Sequence, residues 1–253
     1  MRILVLPFRK GRILFTAMIV VTLIGAVFYL IRSLPNPVKA TTTPVYQGSQ
    51  LEKKAALTFN VVWGEEYVPQ ILDTLKTNKV TATFFIGGQW AEDFPALAGQ
   101  IAQDGHEIGN HGYSHPHPDR LSRSANIDEI KKTDEVLFRL TGVKPTLFAP
   151  PYGERGDVVL KAAGEAGYRT ILWSIDTIDW QRPDPSIIIR RVTEKLHNGA
   201  IVLMHPTAPT VHALPQMIQE LKKEGYEMVS VSTLLKGLQK EDEDKSKTDR
   251  DGS

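Results

Sequence analysis

Two histidines four positions apart, His111 and His115, are the sharpest chemical signal in the sequence. On one turn of a helix, side chains at positions i and i+4 point the same way, so two imidazoles with this spacing can bind one divalent ion. Taken alone the pair is a weak motif, because loop histidines bonded to backbone show the same spacing. A third histidine, His117, makes three in seven residues, which is unusual for an ordinary surface loop.

Other chemically capable residues follow apolar segments at several places. His205 comes directly after an apolar run, and Asp176 and Asp179 follow another one. Each has an ordinary explanation, since a buried histidine can find hydrogen-bond partners within the core and aspartates often cap turns. Tyr152 and Trp180 can likewise be packing residues. Their chemistry matters only if the fold brings these segment ends together.

Short apolar runs alternate with amphipathic stretches along the middle of the chain, which predicts an α/β fold. The predicted strands are 55–61, 82–86, 106–109, 146–148, 169–173, 200–204 and 227–229. The predicted helices are 68–76, 94–103, 126–140, 157–166, 185–196, 213–224 and 232–238. Glycines between helices and strands support this order, because a left-handed helix cap favours glycine.

Repeated strand–helix–strand units require right-handed crossovers and parallel strands, which leaves an open doubly wound sheet or a barrel. No GxGxxG or GxxxxGK[ST] pattern follows a predicted strand, so nucleotide-binding versions lose support. We therefore predict a distorted (β/α)7-type barrel with parallel strands, closed or incomplete. In such a barrel, functional groups lie just past the carboxyl ends of the strands. His111, Tyr152, Asp179 and His205 all fall there.

Composition narrows the chemistry. A formal net charge of +1 gives no electrostatic reason to expect nucleic-acid binding. The chain has no cysteine, so any metal must be held by His, Asp, Glu or Asn side chains. With 42% hydrophobic and 23% charged residues, the composition is that of an ordinary globular protein, which we expect to be a monomer.

The N-terminal residues carry a membrane-targeting pattern. Several cations precede an uncharged, mostly apolar run at 13–31, which at 1.5 Å per residue spans roughly 28 Å, about one hydrocarbon core. We predict a cytoplasmic basic segment at 1–12 and a transmembrane signal anchor at 13–31 in the cell membrane. The rest of the chain would lie on the extracytoplasmic side. A cleavage-like pattern at 38–40 leaves secretion after signal cleavage as the alternative. The cations that precede the run 13–31 argue against the alternative that this run is a buried helix of the folded domain.

Two polar segments flank the predicted domain. Residues 32–52 are rich in proline and small polar residues, which indicates an extracytoplasmic linker. Residues 239–253 contain no apolar side chain and are predicted to be a disordered charged tail. The folded domain is therefore expected at 53–238.

The order of the motifs resembles the polysaccharide deacetylase family (carbohydrate esterase family 4) across 53–238. The sequence HGYSHP at 111–116 looks like the family's metal-binding motif, and APPYG at 149–153 resembles its groove-wall motif. The sequences DTIDW at 176–180 and LMH at 203–205 are similar to its last two motifs.

The resemblance implies hydrolysis of N-acetyl groups from a cell-envelope polysaccharide such as peptidoglycan or another N-acetylglucosamine polymer. It implies a divalent metal, zinc or alternatively cobalt, bound by His111 and His115. His205 would be the general acid, and Asp179 would hold it protonated and correctly oriented.

The substrate-binding residues that the resemblance implies are Tyr152, Pro151 and Trp180. The backbone N–H of Tyr152 would help to stabilise the oxyanion, and Trp180 would form an apolar wall for the sugar or the acetyl group.

The first motif departs from the family's Thr-Phe-Asp-Asp-Gly. Asn60 stands at the general-base position, Val61 at a metal-ligand position, and Ala149 replaces a groove-wall arginine. We expect Asn60 or Glu65 to complete the metal site. Two functions remain open, a deacetylase with a modified first motif and a glycan-binding relative without turnover. A sensor or assembly role is a third alternative, supported only by the predicted topology.

Overall fold

The computed structural model describes residues 43–238. The predicted basic segment 1–12, the predicted anchor 13–31 and the predicted tail 239–253 lie outside the described residues. Within the described range, no helix combines the length and the apolar character needed to cross a bilayer.

The elements agree in type and order with most of the predicted ones. The strands are β1 Lys54–Val61, β2 Thr83–Ile86, β3 Glu107–Asn110, β4 Leu147–Phe148, β5 Arg169–Thr170, β6 Ile175–Asp176, β7 Ala200–Met204 and β8 Glu227–Met228. The helices are α1 Val68–Asn78, α2 Gly88–Asp93, α3 Pro95–Gln103, α4 Arg123–Thr141, α5 Asp157–Glu165, α6 Pro185–Thr193, α7 Ala208–Lys223 and α8 at 231–238. Short 3₁₀ turns occur at Pro118–Arg120, Pro151–Gly153 and Asp179–Gln181.

The strands form one parallel sheet in the order β5-β4-β3-β2-β1-β7-β6, with β8 also paired to β1. Central strand β1 pairs with β2 and β7, which sets Phe59 opposite Met204 and Asn60 opposite Phe85. Among the described strands, β5 and β6 end the order and do not pair with each other. The sheet is therefore a curled, incomplete barrel with helices around it, which confirms the predicted fold class.

A short segment before β1 joins the edge of the sheet. Val45 exchanges backbone hydrogen bonds with Thr170 and Leu172, at 2.9 and 2.7 Å, and Gln47 pairs with the first residue of β7. These residues fall within the predicted linker 32–52. They pack with the domain because the Val45 side chain is buried in an apolar cluster.

The core is centred on β1, in which seven of eight residues are buried. Phe59 of β1 stacks on Phe84 of β2 with ring centroids 4.9 Å apart. Close packing of this kind makes the strands poorly deformable, so the residues at their carboxyl ends are held in a defined arrangement.

Three elements differ from the predicted ones. Helix α2 was not predicted. Of the predicted strand 169–173, only β5 at Arg169–Thr170 forms, and β6 at Ile175–Asp176 lies beyond its predicted end. Helix α7 begins at Ala208 rather than at 213, because Thr207 caps it by accepting from the N–H of Thr210. Pro209 lies in the first turn, where a missing N–H removes no helical hydrogen bond.

Candidate active site

A cleft of ≈500 Å³ opens at the carboxyl ends of the strands. Its lining residues come from the ends of several strands and the loops that follow them: Asn60, Val62, Trp63, His111, His115, Tyr152, Gly153, Trp173, Asp176, Trp180, Leu203 and His205. The structure thus brings together most of the residues that the sequence singled out. Asp179 and Pro151 are buried beside the cleft, and Glu65 lies in the turn after β1, outside the lining.

His205 follows β7 and is held by the buried carboxylate of Asp179. Its Nδ1 lies 2.8 Å from Oδ1 of Asp179, and its backbone N–H donates to Oδ2 at 2.6 Å. Thr210 donates a third hydrogen bond to this carboxylate at 2.6 Å. Because a carboxylate can only accept, Nδ1 of His205 carries a proton. Nε2 is then the nitrogen that can exchange a proton in the cleft.

His111 and His115 lie on the loop after β3, with ring centroids 5.0 Å apart. They do not lie on a turn of helix. Gly112, with φ +76°, turns the chain directly after His111, and His115 has φ +55°. Pro116 also disfavours a helical conformation at the residue before it. A loop, rather than a helix, therefore brings the two rings together.

Both imidazoles are held in the neutral form. His111 is 2% exposed, and its Nδ1 donates to the carbonyl of Ala149 at 2.6 Å. Burial, reinforced by His115, lowers the pKa of His111 to about 3. Burial, with a smaller effect of His205, also lowers the pKa of His115. A neutral histidine whose Nδ1–H donates to a carbonyl has a free lone pair on Nε2, which is how histidines commonly bind metals.

Asn60 is the third candidate ligand for a cation. It is 5% exposed, and its Oδ1 has no hydrogen-bond partner among the described residues. A buried acceptor without a partner, beside two neutral imidazoles, fits a bound cation. Yet residues 43–238 contain no group of three His, Asp or Glu side chains able to hold one. The set of His111, His115 and Asn60 therefore fits a divalent ion, but without the charge of a carboxylate ligand.

The other two changed positions lie in apolar surroundings. Val61 and Ala149 are both buried and belong to hydrophobic clusters. Trp173 packs against the cluster that contains Ala149. The cleft therefore has neither the carboxylate nor the guanidinium that the resemblance predicts at these positions.

Two exposed rings form the walls of the cleft, Tyr152 at 56% and Trp180 at 53% exposure. The Tyr152 ring contacts His115, with centroids 4.6 Å apart, and stacks on His117 at 4.0 Å and 12°. His117 Nδ1 is 2.7 Å from a carboxylate oxygen of Glu154. The third histidine of the loop therefore supports a wall of the cleft and is not part of its lining.

Two further residues shape the site without being marked by any sequence motif, Trp173 and Glu129. Glu129 of α4 accepts hydrogen bonds from the backbone N–H groups of Tyr113 and Ser114, both at 2.8 Å, and from the Ser114 hydroxyl at 2.9 Å. It thus anchors the loop that carries His111 and His115. No motif marks this contact, because it depends on how α4 packs against the loop.

Residues 47–171 match the family model described as polysaccharide deacetylase. A peptidoglycan-N-acetylglucosamine deacetylase of Bacillus cereus is 40% identical over 195 residues, which cover 73% of this chain and 89% of that protein. The chain belongs to the polysaccharide deacetylase family. The uncharacterized protein YlxY of Bacillus subtilis is 43% identical over 192 residues, or 76% of this chain. The matched part spans 60% of the length of YlxY.

The fold is also similar to that of BA3943 from Bacillus anthracis, described as a carbohydrate esterase family 4 pseudoenzyme. The TM-score is 0.76 at 43% identity, covering 78% of this chain and 70% of that one. A BA3943 mutant described as having restored enzymatic activity matches at TM-score 0.76 and 41% identity, covering 78% and 72%. Family members with this fold therefore include both peptidoglycan deacetylases and a pseudoenzyme.

Proposed function

We propose that this protein removes N-acetyl groups from a cell-envelope polysaccharide, such as peptidoglycan or another N-acetylglucosamine polymer. The observation that carries this proposal is the His205–Asp179 pair at the cleft. Its carboxylate is fully buried and accepts three hydrogen bonds, two of them from His205. A site that only binds sugar has no need of an imidazole held in a fixed tautomer.

In the proposed reaction, water adds across the amide bond, the C–N bond breaks, and acetate and a free amine leave. Asp179 keeps Nδ1 of His205 protonated, so that Nε2 delivers a proton to the departing nitrogen. The backbone N–H of Tyr152 supports the negative oxygen that forms on the acetyl carbon. Trp180 and Tyr152 hold the sugar between apolar walls, and buried Pro151 shapes the backbone at Tyr152.

Asn60 limits this chemistry. A neutral amide does not take up a proton at ordinary pH, and the absence of a positioned general base costs on the order of 10²–10⁴ in rate. We therefore expect slow acetate release from the protein as it stands.

Polysaccharide deacetylases are generally metal-dependent, and we propose a divalent ion here, zinc or cobalt, held by His111, His115 and Oδ1 of Asn60. When bound, such an ion polarises the acetyl carbonyl and a water molecule. Glu65 is the alternative third ligand. We expect Asn60→Ala to weaken zinc binding in calorimetry and Glu65→Ala to have little effect. Unchanged zinc binding in the double variant would contradict this assignment.

The proposed activity is tested by acetate release from N-acetylglucosamine oligomers and from peptidoglycan, with and without added zinc or cobalt. We expect release that His205→Ala abolishes. His212→Ala is the matched control, because His212 is exposed on α7 and lies outside the cleft. Equal release by both variants would exclude His205 as the acid.

Glycan binding without turnover is the second candidate function. It is supported by Asn60, Val61 and Ala149, which replace a base, a ligand and a guanidinium, and by the similarity to the pseudoenzyme BA3943. A protein that binds peptidoglycan, loses binding on Trp180→Ala and never releases acetate would establish this function instead.

We also propose that the segment 13–31 anchors the protein in the cell membrane, with the domain on the extracytoplasmic side. The support is the run of cations before an apolar segment of roughly bilayer length. Protease added to intact cells should then degrade the domain. Protection of the domain from protease would contradict this topology, and release into the medium would favour signal cleavage.

A further inference from the structure

Trp63 stacks on the imidazole of His205 across the cleft. The two ring centroids lie 5.7 Å apart, and the ring planes differ by 7°. Aromatic pairs favour an offset, parallel arrangement at this separation. Trp63 is the third residue after the cleft-facing Asn60, so it belongs to the altered first motif rather than to the motif that contains His205.

The backbone brings the two rings together. Strands β1 and β7 are adjacent and parallel, so their carboxyl ends emerge side by side. The turn after β1 then lies directly on Pro206, since a Cβ on Gly64 would stand 2.1 Å from the carbonyl oxygen of Pro206. Gly64 also has φ +80°, a backbone conformation that favours glycine. The residue before this glycine therefore faces the residue before this proline.

Asp179 alone does not fix the plane of the His205 ring. A hydrogen bond at Nδ1 restrains the ring at one edge only, so small changes in the two side-chain torsion angles can still tilt the ring and move Nε2. A parallel ring against its face removes this motion. We propose that Trp63 is a positioning residue for His205, which fixes the plane of the imidazole and thereby the direction of Nε2.

The kinetic consequence rests on the proposed deacetylase function, whereas the structural consequence does not. If Trp63 fixes the His205 ring, then position 63 requires an aromatic side chain and an aliphatic side chain is insufficient. Trp63→Phe should therefore preserve the fixed plane of the His205 ring. Trp63→Leu should lose it even when the protein stays folded.

The structural test is an NMR spectrum of the intact protein with labelled histidine, with the signal of His205 assigned by His205→Gln. We expect the Cε1–Hε1 signal of His205 to be narrow and displaced upfield by the indole ring current. Trp63→Leu should move it towards the position of a free histidine and broaden it, and Trp63→Phe should retain most of the displacement. Trp90→Phe, which alters a buried tryptophan outside the cleft, should leave the signal unchanged.

The kinetic test uses the Asn60→Asp background, in which turnover is expected to be highest. Trp63→Leu should lower kcat by about tenfold or more, with a smaller change in KM, because a misdirected acid affects the reaction more than binding. Trp63→Phe should restore most of kcat.

Equal NMR signals in Trp63→Leu and the parent, or equal loss of kcat in Trp63→Leu and Trp63→Phe, would overturn the proposal. An Asn60→Asp protein without any acetate release would contradict the proposed function instead. The NMR comparison would then decide the role of Trp63 by itself.

Discussion

Single residues give the two sides of the cleft opposite properties. On one side, Asp179 is fully buried and accepts three hydrogen bonds, two of which hold His205 in place. On the other side, Asn60 presents a neutral amide whose Oδ1 has no partner among the described residues. The position proposed for the acid therefore keeps its supporting carboxylate, whereas the position that the resemblance assigns to the base holds no carboxylate.

The buried His111 predicts a pH-dependent stability in the metal-free protein. Its pKa is about 3 in the folded state, against an ordinary value of 6.5, so the unfolded chain takes up a proton first as pH falls. The stability that His111 contributes is complete above pH 6.5 and is lost between pH 6.5 and 3, by about 1.4 kcal/mol per pH unit. Urea unfolding in a chelator, from pH 7 to pH 4, measures this loss.

The matched variant for this prediction is His111→Asn, whose amide can still donate to the carbonyl of Ala149. Its free energy of unfolding should fall less steeply with decreasing pH, because Asn does not titrate. Parallel curves for the two proteins would show that His111 is not the group responsible.

Residue identities predicted which side chains meet, but not how they meet. The positions of His111, His115, Asp179 and His205 after apolar runs were sufficient to place them at one face of a barrel. Their geometry depends on features that no motif records. The left-handed conformation of His115 and the stacking of Trp63 on His205 follow from tertiary packing.

The turn after β1 links the altered first motif to the acid side of the cleft. Gly64→Ala introduces a Cβ against the carbonyl oxygen of Pro206 at φ +80°. Gly105→Ala is the matched control, since Gly105 has φ +81° but nothing lies within 4 Å of its added Cβ. We expect about 1 kcal/mol of destabilisation at Gly105 and at least about 2 kcal/mol at Gly64, measured by urea unfolding.

The close approach to Pro206 is the contact that Gly64 has and Gly105 lacks. If both variants lost the same free energy of unfolding, the turn would be free to move away from β7. The stacking of Trp63 on His205 would then lack its backbone support.

Helix α4 acts on the cleft through Glu129, which anchors the loop between His111 and His115. Glu129→Ala leaves three donors of this loop without their acceptor. We expect the affinity for cobalt to fall by about tenfold or more, because residues that orient metal ligands typically contribute 10–100-fold. Calorimetric titration with cobalt measures the change.

Glu135→Ala is the control for this experiment, since Glu135 is exposed on the same helix. Its affinity for cobalt should equal that of the parent protein. A loss of affinity shared by both variants would mean that the charge of α4, rather than the contact with the loop, is responsible.

Elements were predictable where a strong period or a cap marked them. The bounds of α1 and β7 follow closely from their apolar patterns. Helix α2 was missed because it has only six residues and begins with glycine. The strand predicted at 169–173 is shorter than expected because β5 pairs with β4 only as far as Thr170. The chain then crosses to the opposite edge of the sheet, where β6 pairs with β7.

At the scale of the whole described domain, the parallel sheet is what makes one site from distant motifs. Strands β1, β3, β4, β6 and β7 each deliver residues to the same edge, because parallel strands end on the same side. Residues as far apart as Asn60 and His205 therefore line one cleft. The segment around Val45 was not predictable as part of the domain, because a single valine in a polar stretch carries no periodic signal.

If the acid side of this cleft is functional and Asn60 limits the reaction, an aspartate at position 60 should raise turnover. The most direct test compares acetate release by the parent protein and by Asn60→Asp, on N-acetylglucosamine oligomers with zinc present. We predict a rise within the 10²–10⁴ range that a positioned base contributes, and its loss when His205→Ala is added. Acetate release by Asn60→Asp no higher than that of the parent protein, with glycan binding intact, would contradict the proposed role of Asn60.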